Sequence, residues 1–151
     1  MTAHTALEVT PLHSSDHADW LRLAQGYKAF YETPTAAETY QAAWDKLMAG
    51  EEVRGLGARV EGRLVGFTHY LFHTSTWAPR VCYLQDLFVD ETVRGRGTAS
   101  ALIEAVAQAS RAAGAQRLYW LTQTHNARAR RLYDRVAQFQ GFIRYEYPLL
   151  G

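Results

Sequence analysis

The stretch VCYLQDLFV, Val81 to Val89, followed closely by RGRGTA, Arg94 to Ala99, limits the possible folds of this chain more than any other feature. A short, largely apolar run of this kind reads as a central strand buried on both faces. Beyond the glycine loop, Ala99, Leu102, Ile103, Val106 and Ala113 fall on one helical stripe, and Gly114 is a natural stop. A buried strand passing through a glycine loop into an amphipathic helix belongs to a layered α/β arrangement. The same junction favours an anion. Backbone N–H groups converge at the helix start, the helix dipole adds partial positive charge, and Gly95 and Gly97 clear side chains from the approach. Small residues at Thr98, Ala99 and Ser100 keep the first turn open, while Arg94 and Arg96 add charge. The competing reading is a tight connection and nothing more. No Gly-Lys-Ser/Thr follows, and neither the spacing nor the downstream acid of a dinucleotide fingerprint is present. The other glycine pair, RGLGAR from Arg54 to Arg59, leads into no helix and reads as a turn or bulge in extended chain.

The flanking sequence supplies the remaining elements. A first helix is expected from Asp16 to about Glu32, where Trp20, Leu21, Leu23 and Ala24 have helical spacing. Thr35-Ala36-Ala37-Glu38 has capping-box spacing for a second helix ending near Gly50. Strands are expected at Val53 to Val60 and Leu64 to Phe72, joined in a tight hairpin at Glu61-Gly62. Leu118 to Gln123 reads as a strand, about Asn126 to Val136 as a helix, and Phe142 to Pro148 as a last strand. The order ααβββαβαβ describes an α/β domain (α+β by some schemes) with a mixed sheet. No linker or repeat divides residues 1–151, so a single domain is expected. Sixteen Lys and Arg against fifteen Asp and Glu disfavour a dedicated nucleic-acid binder. A single cysteine, Cys82, excludes an internal disulfide. No apolar run reaches the roughly 20 residues of a membrane span, and MTAHTALEV lacks a secretory pattern, so a cytoplasmic protein is expected.

LQDLFV, then Arg94-x-x-Gly97-x-Ala99, then a helix, resembles the acetyl-CoA signature of the GNAT-type N-acetyltransferases. Asn126-x-x-Ala129-x-x-Leu132-Tyr133 resembles that superfamily's second signature. The wording YLQDLFVDETVRGRG with YWLTQTHNARARRLYDRV is most similar to the fungal histone and polyamine acetyltransferase branch. The resemblance implies a mixed sheet that splays between its fourth and fifth strands, flanked by helices, with acetyl-CoA in the opening. It implies that Leu87, Phe88 and Val89 lie along the pantetheine arm, that Arg94 to Ser100 hold the pyrophosphate, and that Asn126 contacts the cofactor. It also implies a homodimer, while a single domain with no basic or acidic docking tail fits a small-molecule amine acceptor.

Acetyl transfer to an amine needs a polarised thioester carbonyl, a neutral nucleophile and an acid for the leaving thiolate. A Leu87 or Val89 amide suits the first, in the manner of an oxyanion hole. Tyr133 suits the last, a phenol near pKa 10 facing a thiol near 8.5; taken alone it reads as a tyrosine packing its ring on the sheet, and Asn126 seven residues upstream favours the acid. The base is less plain. Polyamine enzymes commonly carry glutamate where this chain has Gln85, which accepts no proton at neutral pH. Asp86 is adjacent, but neighbouring strand residues point to opposite faces unless a bulge intervenes. It is either a base or amine-binding carboxylate, or a buried structural aspartate. Tyr27, Phe30 and Tyr31 fall on one side of the first helix and read by themselves as core packing; the resemblance implies that this region edges the acceptor pocket, where Tyr27, Tyr31 and Glu32, with Trp77, would bind the amine. His69 and His73 share a strand face with no third ligand nearby, so no metal is expected. A polyamine or an amino acid fits this reading best, with a protein lysine or N-terminus, or a non-catalytic acyl-CoA sensor, as alternatives.

Overall fold

The computed structural model describes residues 6–150. Met1 to Thr5 and Gly151, which open and close the expected single domain, lie outside them. The chain divides into two compact units, one running to Leu121 and the other starting at Thr122.

In the first unit the elements are β1 (Glu8–Pro11), α1 (His17–Phe30), α2 (Ala37–Ala49), β2 (Arg54–Val60), β3 (Arg63–His73), β4 (Val81–Val89), α3 (Thr98–Ala112) and β5 (Leu118–Tyr119). The five strands form one sheet in sequence order, antiparallel from β1 to β4, with β5 parallel to β4. The sheet is mixed, as the sequence indicates.

Each face of the sheet has its own core. Trp20, Leu23 and Ala24 of α1 recur at helical spacing and are buried with Trp44 and Leu47 of α2, over Leu64 and Phe67 of β3. The Trp20 and Trp44 rings lie 5.1 Å apart. A buried tryptophan of this kind contributes about 3–5 kcal/mol relative to alanine. On the opposite face, Leu102 of α3 packs with Ala58, Val65 and Val89. Where the chain enters α1, Arg59 reaches from β2 and grips both carboxylate oxygens of Asp16, each at 2.6 Å. That bidentate bond outweighs burial and holds the Asp16 carboxyl below its usual range.

Several expected boundaries move. Thr35 does not cap α2: the helix starts one residue beyond Ala36, and the Thr35 hydroxyl donates to the Thr33 carbonyl at 3.0 Å instead. RGLGAR keeps to its expected place in extended chain, inside β2, with a bulge-type register shift between Ala58 and Arg59. Its glycines answer close approach, since a Cβ on Gly55 would stand 2.5 Å from Leu12 and one on Gly57 would stand 2.4 Å from Leu64. Short β1, which ends on Pro11, carried no periodic signal in the sequence. The expected strand from Leu118 reduces to two residues.

The second unit holds α4 (Ala127–Val136), which Asn126 caps by accepting the Ala129 amide at 3.4 Å. Phe142 to Pro148 forms no strand. Its alternation of apolar and polar residues suits a sheet edge, yet Phe142, Tyr145 and Tyr147 are all exposed. Periodicity marks a segment able to pair but supplies no partner.

Candidate active site

The β4 strand determines the geometry of the first unit's site. Its register against β3 runs Phe67↔Phe88, Thr68↔Leu87 and His69↔Asp86, then jumps to Tyr70↔Leu84. Gln85 is the extra residue of a bulge, and it is exposed. Strict alternation would place Asp86 on the same face as Leu84 and Cys82, which pack toward α3. The bulge breaks that alternation and turns Asp86 to the α1 face, alongside Phe88.

There the Asp86 carboxylate accepts two hydrogen bonds. Tyr27 of α1 donates its hydroxyl to Oδ1 at 2.8 Å, and His69 Nδ1 lies 2.9 Å from Oδ2. Trp20 donates its indole N–H to His69 Nε2 at 3.0 Å. An indole nitrogen only donates, so Nε2 must be the bare nitrogen and Nδ1 must carry the ring proton. His69 is therefore a donor to Asp86 and has no lone pair facing it. Burial alone would raise the Asp86 pKa, but the His69 and Tyr27 hydrogen bonds and the charge of Lys28 outweigh it and hold the carboxyl below its usual range. Burial first, then the charge on Asp86, pushes the Tyr27 phenol well up, so it remains a donor at any ordinary pH.

These groups line a cavity of about 130 Å³. Trp20, Tyr27 and Lys28 form its α1 wall, Tyr40 belongs to α2, and His69 and Asp86 form the strand side. Of the residues expected at an acceptor pocket, Tyr27 is on this wall. Tyr31 stacks edge-on against Tyr27 at 5.1 Å, while Glu32 is exposed just past the helix end at φ 52°. Trp77, on the loop between β3 and β4, is 93% exposed.

The outer edge of β4 is a second feature. Its ladder with β5 consists of Cys82↔Leu118 and Tyr83↔Tyr119, so Leu84 to Val89 lie beyond the paired part. The sheet opens there, between its fourth and fifth strands. The Asp90 amide donates to Val65 of β3 at 2.8 Å. Backbone groups alternate sides along a strand, so Leu87 and Val89 turn their amides to the open edge. Arg94 Nε donates to the Val89 carbonyl at 3.3 Å, and its guanidinium lies over the Phe88 ring.

Past Val89, a short 3₁₀ turn (Glu91–Val93) leads to the glycine loop and α3. Gly95 and Gly97 have φ of 81° and 79°, and a Cβ built on either would meet nothing within 4 Å. Gly97 is the N-cap of α3, with no side-chain cap and no acidic residue in the first turn. An uncapped helix start facing open space, flanked by Arg94 and Arg96, has the donor set for a phosphate group. Asn126 and Tyr133 belong to the second unit, on or just before α4. Among the described residues, no group of three His, Cys, Asp or Glu could hold a metal ion.

Residues 18–139 match the family described as the acetyltransferase (GNAT) family. The chain is a member of the GNAT acetyltransferase family. Among curated proteins it is 31% identical over 134 residues to the D-amino-acid N-acetyltransferase HPA3 of Saccharomyces cerevisiae, covering 85% of this chain and 83% of that protein. It is 37% identical over 70 residues to the thialysine N-epsilon-acetyltransferase of Bos taurus, covering 46% of this chain and 41% of that protein. The aminoglycoside N-acetyltransferase AAC(6')-Iy, solved in complex with CoA, superposes with a TM-score of 0.88 over 99% of both chains at 14% identity. At that identity the likeness is one of fold. The chain is a GNAT-type N-acetyltransferase, with the bulged strand and glycine loop of the first unit at the centre of its candidate site.

Sequence reasoning undervalued one residue. Sequence spacing relates His69 only to His73, as a pair of metal ligands. Its partners here are Asp86, 17 residues away, and Trp20, 49 residues away. His73 instead bonds the Tyr119 hydroxyl at 2.9 Å. The signal available in sequence was a histidine in an apolar strand that needed partners for both ring nitrogens.

Proposed function

We propose that this acetyltransferase moves the acetyl group of acetyl-CoA to the primary amine of a small molecule, with Asp86 anchoring the amine. Acetyl-CoA supplies a thioester whose acyl carbon bonds the amine nitrogen as the carbon–sulfur bond breaks, releasing the coenzyme's thiol. Arg94, Gly95, Arg96, Gly97, Thr98, Ala99 and Ser100 hold its diphosphate through the α3 N-terminus. Leu87, Phe88 and Val89 accompany the pantetheine arm, and an outward amide of Leu87 or Val89 polarises the carbonyl. Asn126 contacts the coenzyme. Tyr133 protonates the thiolate, a role that rests on its spacing from Asn126 in the family's second motif.

Asp86 is a weak base in this setting. Two donors hold it ionised, which suits an ammonium anchor more than a proton acceptor. An alkyl amine near pKa 10.4 gives up its proton at pH 7 at a cost of about 4.6 kcal/mol in free solution and more beside a carboxylate, and water takes that proton. Tyr27 and Tyr31 shape the pocket, while Glu32, Trp77 and Gln85 meet the outer part of the acceptor.

The observation that carries this reading is the bulge at Gln85. On one strand it turns Asp86 to an aromatic cavity, next to the residues whose amides face the open sheet edge. The family match runs from residue 18 to residue 139, across both units, and supports reading residues 1–151 as one catalytic domain. A cytoplasmic location belongs to the same reading, and no helix among the described residues is long and apolar enough to cross a membrane. So does a homodimer, which the family resemblance implies. Acetyl-CoA binding measured by calorimetry, with thiol release across a panel of small amines, tests the proposal. Binding without thiol release from any amine would make the protein an acyl-CoA sensor.

A further inference from the structure

The cavity beside Asp86 carries fixed charges of both signs. Asp86 is the carboxylate among its lining residues and Lys28 is the lysine, one position along α1 from the tyrosine that bonds Asp86. The two are near enough for the Lys28 charge to act on the Asp86 carboxyl. The Lys28 ammonium lies 5.9 Å from the centre of the Tyr27 ring, whose hydroxyl is 2.8 Å from Asp86. Thr35 and Thr39 line the same cavity with hydroxyl groups. Among the described residues, no hydrogen bond or ion pair occupies the Lys28 ammonium, whereas Asp86 already has two donors.

We infer that the acceptor is an amino acid, its amine held by Asp86 and its carboxylate held by Lys28. This deepens the small-amine reading and rests on it. The charge pattern separates the candidate classes. A simple monoamine uses the anion and leaves Lys28 without a counter-charge. A polyamine brings a second ammonium into a cavity whose remaining fixed charge is positive, and like charges there are repulsive. The N-terminus of a protein has its first carboxyl group converted to an amide, which offers Lys28 a carbonyl dipole in place of an anion. Only a molecule with amine and carboxylate together answers both charges. Lys28 is a specificity-determining residue in this scheme and takes no part in bond making.

The test compares phenylalanine of either hand, phenylalaninamide, phenethylamine and spermidine, each assayed for thiol release from acetyl-CoA. The amide keeps the shape of the amino acid without its charge, and phenethylamine lacks the carboxyl group altogether. Wild type is expected to prefer at least one hand of phenylalanine over its amide by about ten- to a hundredfold in kcat/KM, the range of a charge-assisted contact. Lys28→Met, with similar length and helix propensity, is expected to remove that preference, lowering kcat/KM for phenylalanine by about tenfold or more beyond any change for phenethylamine. Lys28→Arg should keep most of the preference.

Turnover of spermidine or phenethylamine in wild type at rates equal to or above those of phenylalanine would overturn the inference and leave the small-amine reading standing. A Lys28→Met loss that falls equally on phenylalanine and phenethylamine would also overturn it. Absence of thiol release from every compound, with the coenzyme bound, would remove the small-amine reading and this inference together.

Discussion

Replacing His69 with phenylalanine is the most direct probe of the hydrogen-bonded chain behind the cavity. The ring is similar in size, and its stacking on Phe67, with centroids 4.5 Å apart, is retained. Two bonds are lost. The Trp20 indole N–H, on a side chain only 1% exposed, is left with no acceptor, at a cost of about 1–3 kcal/mol. Asp86 loses a charge-assisted donor, at a cost of about 1.5–3 kcal/mol. The two effects share one ring and are not strictly additive, so a total of about 3–5 kcal/mol is expected. That is a large share of the roughly 5–15 kcal/mol that keeps a domain folded. Urea unfolding followed by tryptophan fluorescence measures it directly.

The same variant has a pH signature that generic damage to the core would not produce. The Asp86 folded pKa lies below its unfolded value near 3.9, so its bonds contribute stability above that value. The contribution is lost as pH falls through the lower folded pKa. Without the His69 donor, burial is opposed by less, and the folded pKa rises. The acid limb of the stability curve should therefore flatten in His69→Phe relative to wild type. A loss below about 1 kcal/mol with an unchanged acid limb would refute the reasoning, because neither bond would then contribute to the folded state.

Three further outcomes are expected, two from the geometry and one from the family's second motif. Deleting Gln85 restores strict alternation and forces either Asp86 toward α3 or Val81 to Leu84 out of register; the variant should unfold or lose about 3–5 kcal/mol in urea, whereas Gln85→Ala, at an exposed position, should lose less than about 0.5. Gly97→Trp places an indole in the open space before α3 at a positive φ, so calorimetry should find acetyl-CoA binding abolished, and retained affinity would overturn the loop assignment. Tyr133→Phe should leave coenzyme affinity nearly intact and lower turnover by about tenfold or more; unchanged turnover would remove Tyr133 from the mechanism.

Where the signal was local, the sequence was easily read. Val81 to Val89 came out with the expected bounds, because nine apolar-rich residues between breakers leave little freedom. The start of α3 was legible because Gly95 and Gly97 mark a backbone that other residues rarely adopt. Failures arose where the outcome depended on a distant partner. Thr35 had the spacing to cap α2, but a nearer carbonyl at Thr33 took its hydroxyl. Phe142 to Pro148 alternates like a strand, but alternation names no edge to pair with. The His69 to Trp20 bond spans 49 residues, and no window of sequence contains both.

The direction of the Trp20 bond also decides between two chemical roles for the pair it supports. Had Nε2 faced a carboxylate or a carbonyl, it would have carried a proton, and Nδ1 would have been bare toward Asp86. A proton arriving at Asp86 would then have had an imidazole lone pair to continue to, and the pair would have formed a relay. Because an indole occupies Nε2, the Nδ1 proton is fixed in the bond to Asp86, and the relay has no acceptor. Protonating the ring would set two N–H groups against each other across 3.0 Å. His69 thus favours one state of its neighbour, a carboxylate that stays charged and in place. A group held in that way binds a cation well and gives up its charge poorly. The geometry thus accords with the proposed division of labour, in which Asp86 would position the amine and the proton would leave through solvent.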